Sequence, residues 1–299
     1  MGYSIVTTVL SAAASYDLTD LATVKDELAI GADDASDDSW LARAISQVSR
    51  SIERHCKRPF APELICDVID VEQDPFPYQT PGGFKALQLS RWPVLGVVSV
   101  VQTLSASTSQ TLTEGVDFRL DAKTGQLLRL NKWLGVVTLW EPVPVTVIYT
   151  AGFGQLVAET GTVPQAAPYE VAVSQAAAFS CAQSVAYADG AALTPVSANP
   201  AQGQFAVSDG AFTFNAADAG QALGFAYATV SIPDDLVEIC LRLITARYSA
   251  KDRDPNLIQQ DTPGVGIQRW WVGGSPGQKG SFSPDIDAAL DEYRVPTLA

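Results

Sequence analysis

Histidine is almost absent from this chain: His55 is the single one in 299 residues. That excludes a His-built zinc site and leaves any Ser-His-Asp or Cys-His scheme one candidate. His55 lies in ERHCKRPF at a helix end, where a partly exposed structural role is expected. The four cysteines, Cys56, Cys66, Cys181 and Cys240, have no CxxC spacing. They read as reduced, mostly buried thiols of a cytosolic protein. No window approaches the roughly 18 uninterrupted apolar residues of a membrane helix. The opening MGYSIVTTVLSAAASYDL has no Lys or Arg ahead of its apolar run, so it reads as mature sequence. Val6 breaks the myristoylation pattern. Catalytic signatures are missing as well: there is no GxSxG, HExxH or Asp-Thr-Gly. GGSPGQKGS departs from a phosphate loop, because Lys279 does not directly follow the second Gly and no strand-then-helix frames it. DDASDD lacks the Gly and terminal Glu of a calcium loop and reads as a solvated helix cap. The residues therefore point to no enzyme, no cofactor and no metal.

Positive charge is scarce too. The net charge is −14. Gripping nucleic acid through phosphate neutralisation needs clustered Lys and Arg, which this chain does not offer. A negative wall can still surround DNA and let it pass without sticking. The scarcity is uneven: residues 155–231 carry 5 acids and no base at all. That Ala-rich stretch reads as an inserted domain.

What is present divides the chain into five parts. Residues 1–60 read as helices. Asp20 caps a run with Leu21, Val24 and Leu28 at helical spacing. A second helix carries Leu41, Ile45, Val48 and Ile52 and stops before Pro59. Residues 61–154 alternate like antiparallel strands, with turns at Pro81-Gly82-Gly83 and Thr124-Gly125. In 155–231, Phe205 and Val207, Phe212 and Phe214, then Leu223, Phe225 and Tyr227 keep period two. Asp209-Gly210 is a hairpin signal, and a small β-sandwich is expected. Residues 232–260 hold a further core helix, opened by Pro233, Asp234 and Asp235. Leu236, Ile239, Cys240, Leu243 and Ile244 form its buried stripe. The fold class is α+β: a helical core from both chain ends, a β region and an inserted sandwich. Residues 261–299 form an extended arm, a short helix and a tail. The glycine-rich run from Asp261 to Asp285 is too long for an idle loop in a compact domain. Trp270 and Trp271 within it read either as an anchor in the monomer's own core or, with Arg269, as the residue types that dominate interface hot spots.

Several stretches resemble the head-tail connector (adaptor) proteins of tailed bacteriophages and related gene-transfer particles. They are LTDLATVKDELAI with WLARAISQVSRSIERHCKRPF, LQLSRWPVLGVVSV, GVDFRLDAKTGQLLRL, VTVIYTAGFG, and IPDDLVEICLRLITARYSAKDRDP with PDIDAALDEYRVP. Their order and spacing carry the resemblance, and they cover most of the chain outside the insert. The insert departs from the simpler members, in which AGFG runs quickly into the PDDL helix. Its YADGAALTP and FTFNAADAG resemble small β modules of other phage virion proteins. The resemblance implies a structural protein of the virion neck, assembled in the host cytoplasm. It implies a twelve-fold ring of copies beneath the portal protein, with a central channel that DNA crosses without specific binding. The arm and tail would dock in the portal, and the opposite face would receive a stopper or tail-completion protein. Arg269, Trp270, Trp271, Tyr293 and Arg294 are the candidate portal-docking residues. Two other readings stay open: another neck or tail-completion ring protein, and a carbohydrate-binding or adhesin-like virion protein working through the insert. The last requires its aromatics to form an exposed platform.

Overall fold

The computed structural model describes residues 4–70, 78–79, 85–141, 143–251, 259–262, 266–269 and 283–295. For 78–79, 85, 259–262 and 266–269 it gives the backbone course. The fold is α+β, and the chain divides into two compact units.

The first unit comprises residues 1–15 and 61–231. Its strands in chain order are β1 (Ser4–Ser11), β2 (Glu63–Asp70), β3 (Tyr78–Gln79), β4 (Lys85–Gln88), β5 (Val94–Ser105) and β6 (Thr108–Leu112). Then follow β7 (Phe118–Asp121), β8 (Gln126–Arg129), β9 (Val145–Ala151), β10 (Gly154–Thr162), β11 (Glu170–Ala172) and β12 (Phe179–Tyr187). The last four are β13 (Thr194–Pro195), β14 (Gln204–Ser208), β15 (Ala211–Phe214) and β16 (Ala222–Val230). A five-stranded antiparallel sheet runs β1-β2-β9-β5-β6, and a four-stranded one runs β3-β4-β8-β7. Alternation puts Ile65, Ile69, Val100, Val145, Val147 and Tyr149 on the buried side, where they pack with Leu87, Phe118 and Leu127. Asp67 is fully buried among them. Its carboxylate accepts from Tyr149 Oη at 2.7 Å, Ser90 N at 2.8 Å and Ser90 Oγ at 2.8 Å. Those three donors replace the water that burial removes.

Two further sheets of the same unit lie within residues 154–230 and face each other across a shared core. One sheet runs β10-β16-β12 and the other β11-β15-β14-β13. Period-two alternation on β14, β15 and β16 buries Phe205, Phe212, Phe214, Leu223, Phe225 and Tyr227 between them. Phe212 and Phe225 meet edge to face with ring centroids 5.1 Å apart. The Asp209-Gly210 signal makes a two-residue turn pairing Ser208 with Ala211. Both turn residues have positive φ, 48° and 77°, as a type I′ turn requires. One parallel pairing, β13 with β14, breaks the antiparallel pattern.

The second unit comprises residues 16–60 and 232–299. It holds α1 (Leu21–Glu27), α2 (Asp38–Cys56), α3 (Asp234–Ser249) and α4 (Pro284–Asp291). A hairpin of β17 (Gln259–Thr262) and β18 (Gly266–Arg269) belongs to it too. Asp20 caps α1 by accepting from Thr23 N at 2.8 Å. The stripe of α2 is buried: Leu41, Ile45, Val48 and Ile52 are each at most 3% exposed. Each such side chain contributes roughly 1.5–3 kcal/mol when buried. The helix ends where Lys57 takes the left-handed conformation at φ 58°. On α3, Leu236, Ile239, Cys240 and Ile244 are buried, Leu243 is half-buried, and Pro233 stands at the cap.

Residues 1–60 are not all helical. Ser4–Ser11 is a strand, paired with β2 from Ser4↔Asp70 to Ser11↔Leu64. Its IVTTV run, Ile5 to Val9, is β-branched throughout and suits a pleated surface. The acidic turn ahead of α2 is also more than a solvated cap. Asp37 makes no side-chain cap bond. It accepts from Tyr248 Oη at 2.7 Å and pairs with Lys251, so it fastens the turn to the end of α3.

Candidate functional site

Three features are candidates for contact with a partner, and each is built differently. The first is the C-terminal segment between α3, which ends at Ser249, and α4, which begins at Pro284, with β17 and β18 paired within it. Both flanks of the segment are fastened. Tyr248 and Lys251 hold the outgoing end to Asp37. At the returning end Ile286 and Leu290 are buried. Cys56 Sγ donates to Leu290 O at 3.6 Å, and Val295 N donates to Cys56 O at 3.0 Å. His55 of α2 lies 3.6 Å from Asp287 and 3.8 Å from Asp291 of α4.

Of the residues assigned to portal docking, Trp270 and Trp271 lie outside the described residues. Arg269 is placed by its backbone, opposite Gln259 at the end of the hairpin. Tyr293 is half-buried: its ring meets Phe60 edge to face, and its hydroxyl donates to Asp235 at 2.6 Å. Burial first, then that carboxylate, pushes its hydroxyl well above the usual phenol range. Arg294 is exposed and lies 3.4 Å from Asp291.

The second feature is a loop between β8 and β9, residues 131–139. Asn131 organises it. Its Oδ1 accepts from Trp133 N at 2.9 Å and Leu134 N at 3.1 Å. Its carbonyl accepts from Gly135 N and its own N–H donates to Val136 O, both at 2.8 Å. Leu130 and Val137 then pair across the base, and Thr138 N donates to Arg129 O at 2.9 Å. Trp140 anchors the loop: it is buried, donates from Nε1 to Leu127 O at 3.1 Å, and lies under the Arg129 guanidinium. The result is a fixed turn with apolar residues outside. Trp133 is 89% exposed and Leu134 74%, with Val136 and Leu139 also exposed. Sequence reasoning missed this loop. The signal was there: Asn131 and Gly135 bracket a turn whose tip is apolar instead of polar.

The third feature is a cavity of about 480 Å³ between α1 and the acidic turn. Leu21, Ala22, Ile30 and Ala32 give it apolar walls; Lys25, Asp26 and Asp38 give it polar ones. Lys25 is buried and holds the turn in place. Its ammonium donates to Asp34 O at 2.9 Å and Ala32 O at 3.4 Å, and pairs with Asp38 at 2.6 Å. Asp34 in turn accepts from Ser36 N at 3.0 Å, which holds its carboxyl below the usual range.

The insert's aromatics make no platform. Phe205, Phe212, Phe214, Phe225 and Tyr227 are all buried between the two sheets. The nearby Tyr187 hydroxyl donates to the buried Asp218 at 2.6 Å. Burial, then that carboxylate, pushes Tyr187 up to about 12. Asp218 also accepts from Gly203 N at 3.3 Å, so the pair braces a turn. Among the described residues, no three His, Cys, Asp or Glu side chains gather as metal ligands, and no helix is long and apolar enough to cross a membrane.

No family model matches the chain. No curated protein matches it either. Among solved structures, it is similar to a chain in the neck of an empty gene transfer agent (GTA) particle. The identity is 12% and the TM-score 0.39, covering 100% of this chain and 98% of that one. It is similar also to a chain of the virion of a native GTA particle, at 11% identity and TM-score 0.40, covering 98% and 97%.

Proposed function

We propose that this protein is a structural subunit of a phage-like particle, a head-tail connector in its neck. Copies form a ring, twelve-fold as the resemblance implies, beneath the portal protein, and a stopper or tail-completion protein binds the other face. DNA crosses the ring's channel. The observation that carries this reading is the double anchorage of the segment between α3 and α4. Both flanks are tied into the helical unit, at Tyr248 and Lys251 and again at α4, so a partner that engages Arg269, Trp270 and Trp271 need not unfasten them. Arg and Trp are the residue types that dominate interface hot spots. The charge of −14 supports passage of DNA instead of capture.

The test is deletion of the gene in a particle-producing strain. DNA-filled heads and separate tails that fail to join are expected. Complementation with a chain carrying Trp270→Ala and Trp271→Ala should restore joining poorly, and its mixture with purified portal should give less complex by light scattering. Normal particles from the deletion strain would overturn the reading.

A further inference from the structure

The geometry points to an interface between copies of this chain: Trp133 and Leu134 of one copy seat in the cavity beside α1 of the next. The inference rests on the ring reading above for the presence of a second copy. Four observations carry it. The 131–139 loop is held by its own hydrogen bonds and by buried Trp140, so the backbone that presents the two apolar side chains is already in place before contact. An 89% exposed tryptophan on such a support is what an anchor residue looks like before its partner arrives. The cavity of about 480 Å³ falls within the roughly 300–1,000 Å³ of pockets that enclose a ligand-sized group. Leu21, Ala22, Ile30 and Ala32 give it apolar walls beside the buried Lys25.

Charge selects the occupant. Each copy is strongly acidic, so two copies repel unless the contact is apolar or joins opposite signs. Lys132 precedes the tip and is exposed; Asp26 lines the cavity and is exposed. Seating the tip therefore brings a cation to a carboxylate. The same overall charge disfavours a membrane as the occupant, because cytoplasmic lipid surfaces are themselves negative. Knob and cavity are different surfaces of one chain. Their union is heterologous and head-to-tail, the kind of contact that generates rings or filaments.

The test is cross-linking of the full-length chain with a short bis-maleimide, the half-buried Cys66 being replaced by Ser in every variant. Lys132→Cys and Asp26→Cys replace the pair while leaving Trp133 and Leu134 in place. The double variant should give a ladder of covalent oligomers on a denaturing gel. A mixture of the two single variants should stop at dimers. Adding Trp133→Ala and Leu134→Ala to the double variant should cut the yield at least tenfold with an unchanged melting curve. Cross-linking by Lys132→Cys alone as strong as by the double variant would mean loop-on-loop contact and overturn the inference. So would the absence of any ladder, or Trp133-dependent binding to phosphatidylcholine–phosphatidylglycerol vesicles in its place. The two proposals fail separately. No ladder, with head-tail joining still dependent on the gene, removes this interface and leaves the neck reading. A ladder from a chain whose deletion leaves particles normal does the reverse.

Discussion

The hydroxyl of Tyr293 donates to the carboxylate of Asp235 across 2.6 Å, joining the turn after α4 to the first turn of α3. The ring of the same residue packs on Phe60, 6.0 Å between centroids. Tyr293→Phe keeps that packing and deletes the bond. Such a bond is worth about 1 kcal/mol net. Urea unfolding of the variant should show a loss of that size, with faster amide exchange in α4 than in α2. No change in either would mean that the buried Ile286 and Leu290 hold the helix unaided.

Asp37 should make the protein sensitive to acid in a specific way. Hydrogen bonds from Lys251 first, then Tyr248, hold its carboxyl below 3.8. A carboxyl depressed in the folded state stabilises above its unfolded pKa, and that contribution disappears as pH falls through the folded value. Asp37→Ala should therefore melt below the natural chain near neutral pH, and the gap should close as pH drops below 3.8. A gap that persists in acid would assign the loss to packing.

The buried thiols set the alkaline limit. Burial pushes Cys56 and Cys240 up to about 11 and Cys181 to about 12, from 9.0. The unfolded chain then releases these protons before the folded one does. Stability is complete below pH 9.0 and is lost as pH rises through about 11 to 12. Melting temperature should fall across that window, and a thiol reagent should reach these three cysteines only as the chain opens. The half-buried Cys66 should react first.

Gly154 should tolerate no side chain. A Cβ there would lie 1.8 Å from the carbonyl oxygen of Thr229, the register neighbour of its own strand partner Val230. Backbone cannot retreat as a flexible side chain does. Gly154→Ala should lower the melting temperature sharply or leave the chain insoluble; melting within a degree or two of the natural chain would mean that β10 and β16 can separate there.

The legible parts of this fold were those decided by neighbours in sequence. The α2 stripe, the Asp20 cap and the Asp209-Gly210 turn depend on spacings of two to four residues, which chemistry fixes locally. The insert's aromatics declared their alternation for the same reason. The strand Ser4–Ser11 was written in its β-branched residues, but its partner lies beyond two helices. The clamp of Asp37 on Tyr248 spans 211 positions and left no local mark. Nor could sequence tell which tryptophan faces solvent. Trp133 and Trp140 share one loop, and only the reach of Trp140 Nε1 to the carbonyl of Leu127 separates anchor from tip. The candidate docking residues came from the resemblance and from residue type, and for Tyr293 a bond to a distant carboxylate decides where its hydroxyl points.

The contact between Ser49 and Cys240, 3.9 Å apart in space and 191 positions apart along the chain, bears on how the protein is made. A ribosome releases α1 and α2 first, and their oily stripe then waits while residues 61–231 are synthesised. Strands in that stretch find most partners within it, so the β-rich unit can close during translation while the helical unit is still half-made. Early helices left bare for that interval are natural clients for a holding chaperone. Chains cut short before α3 should be the ones that aggregate.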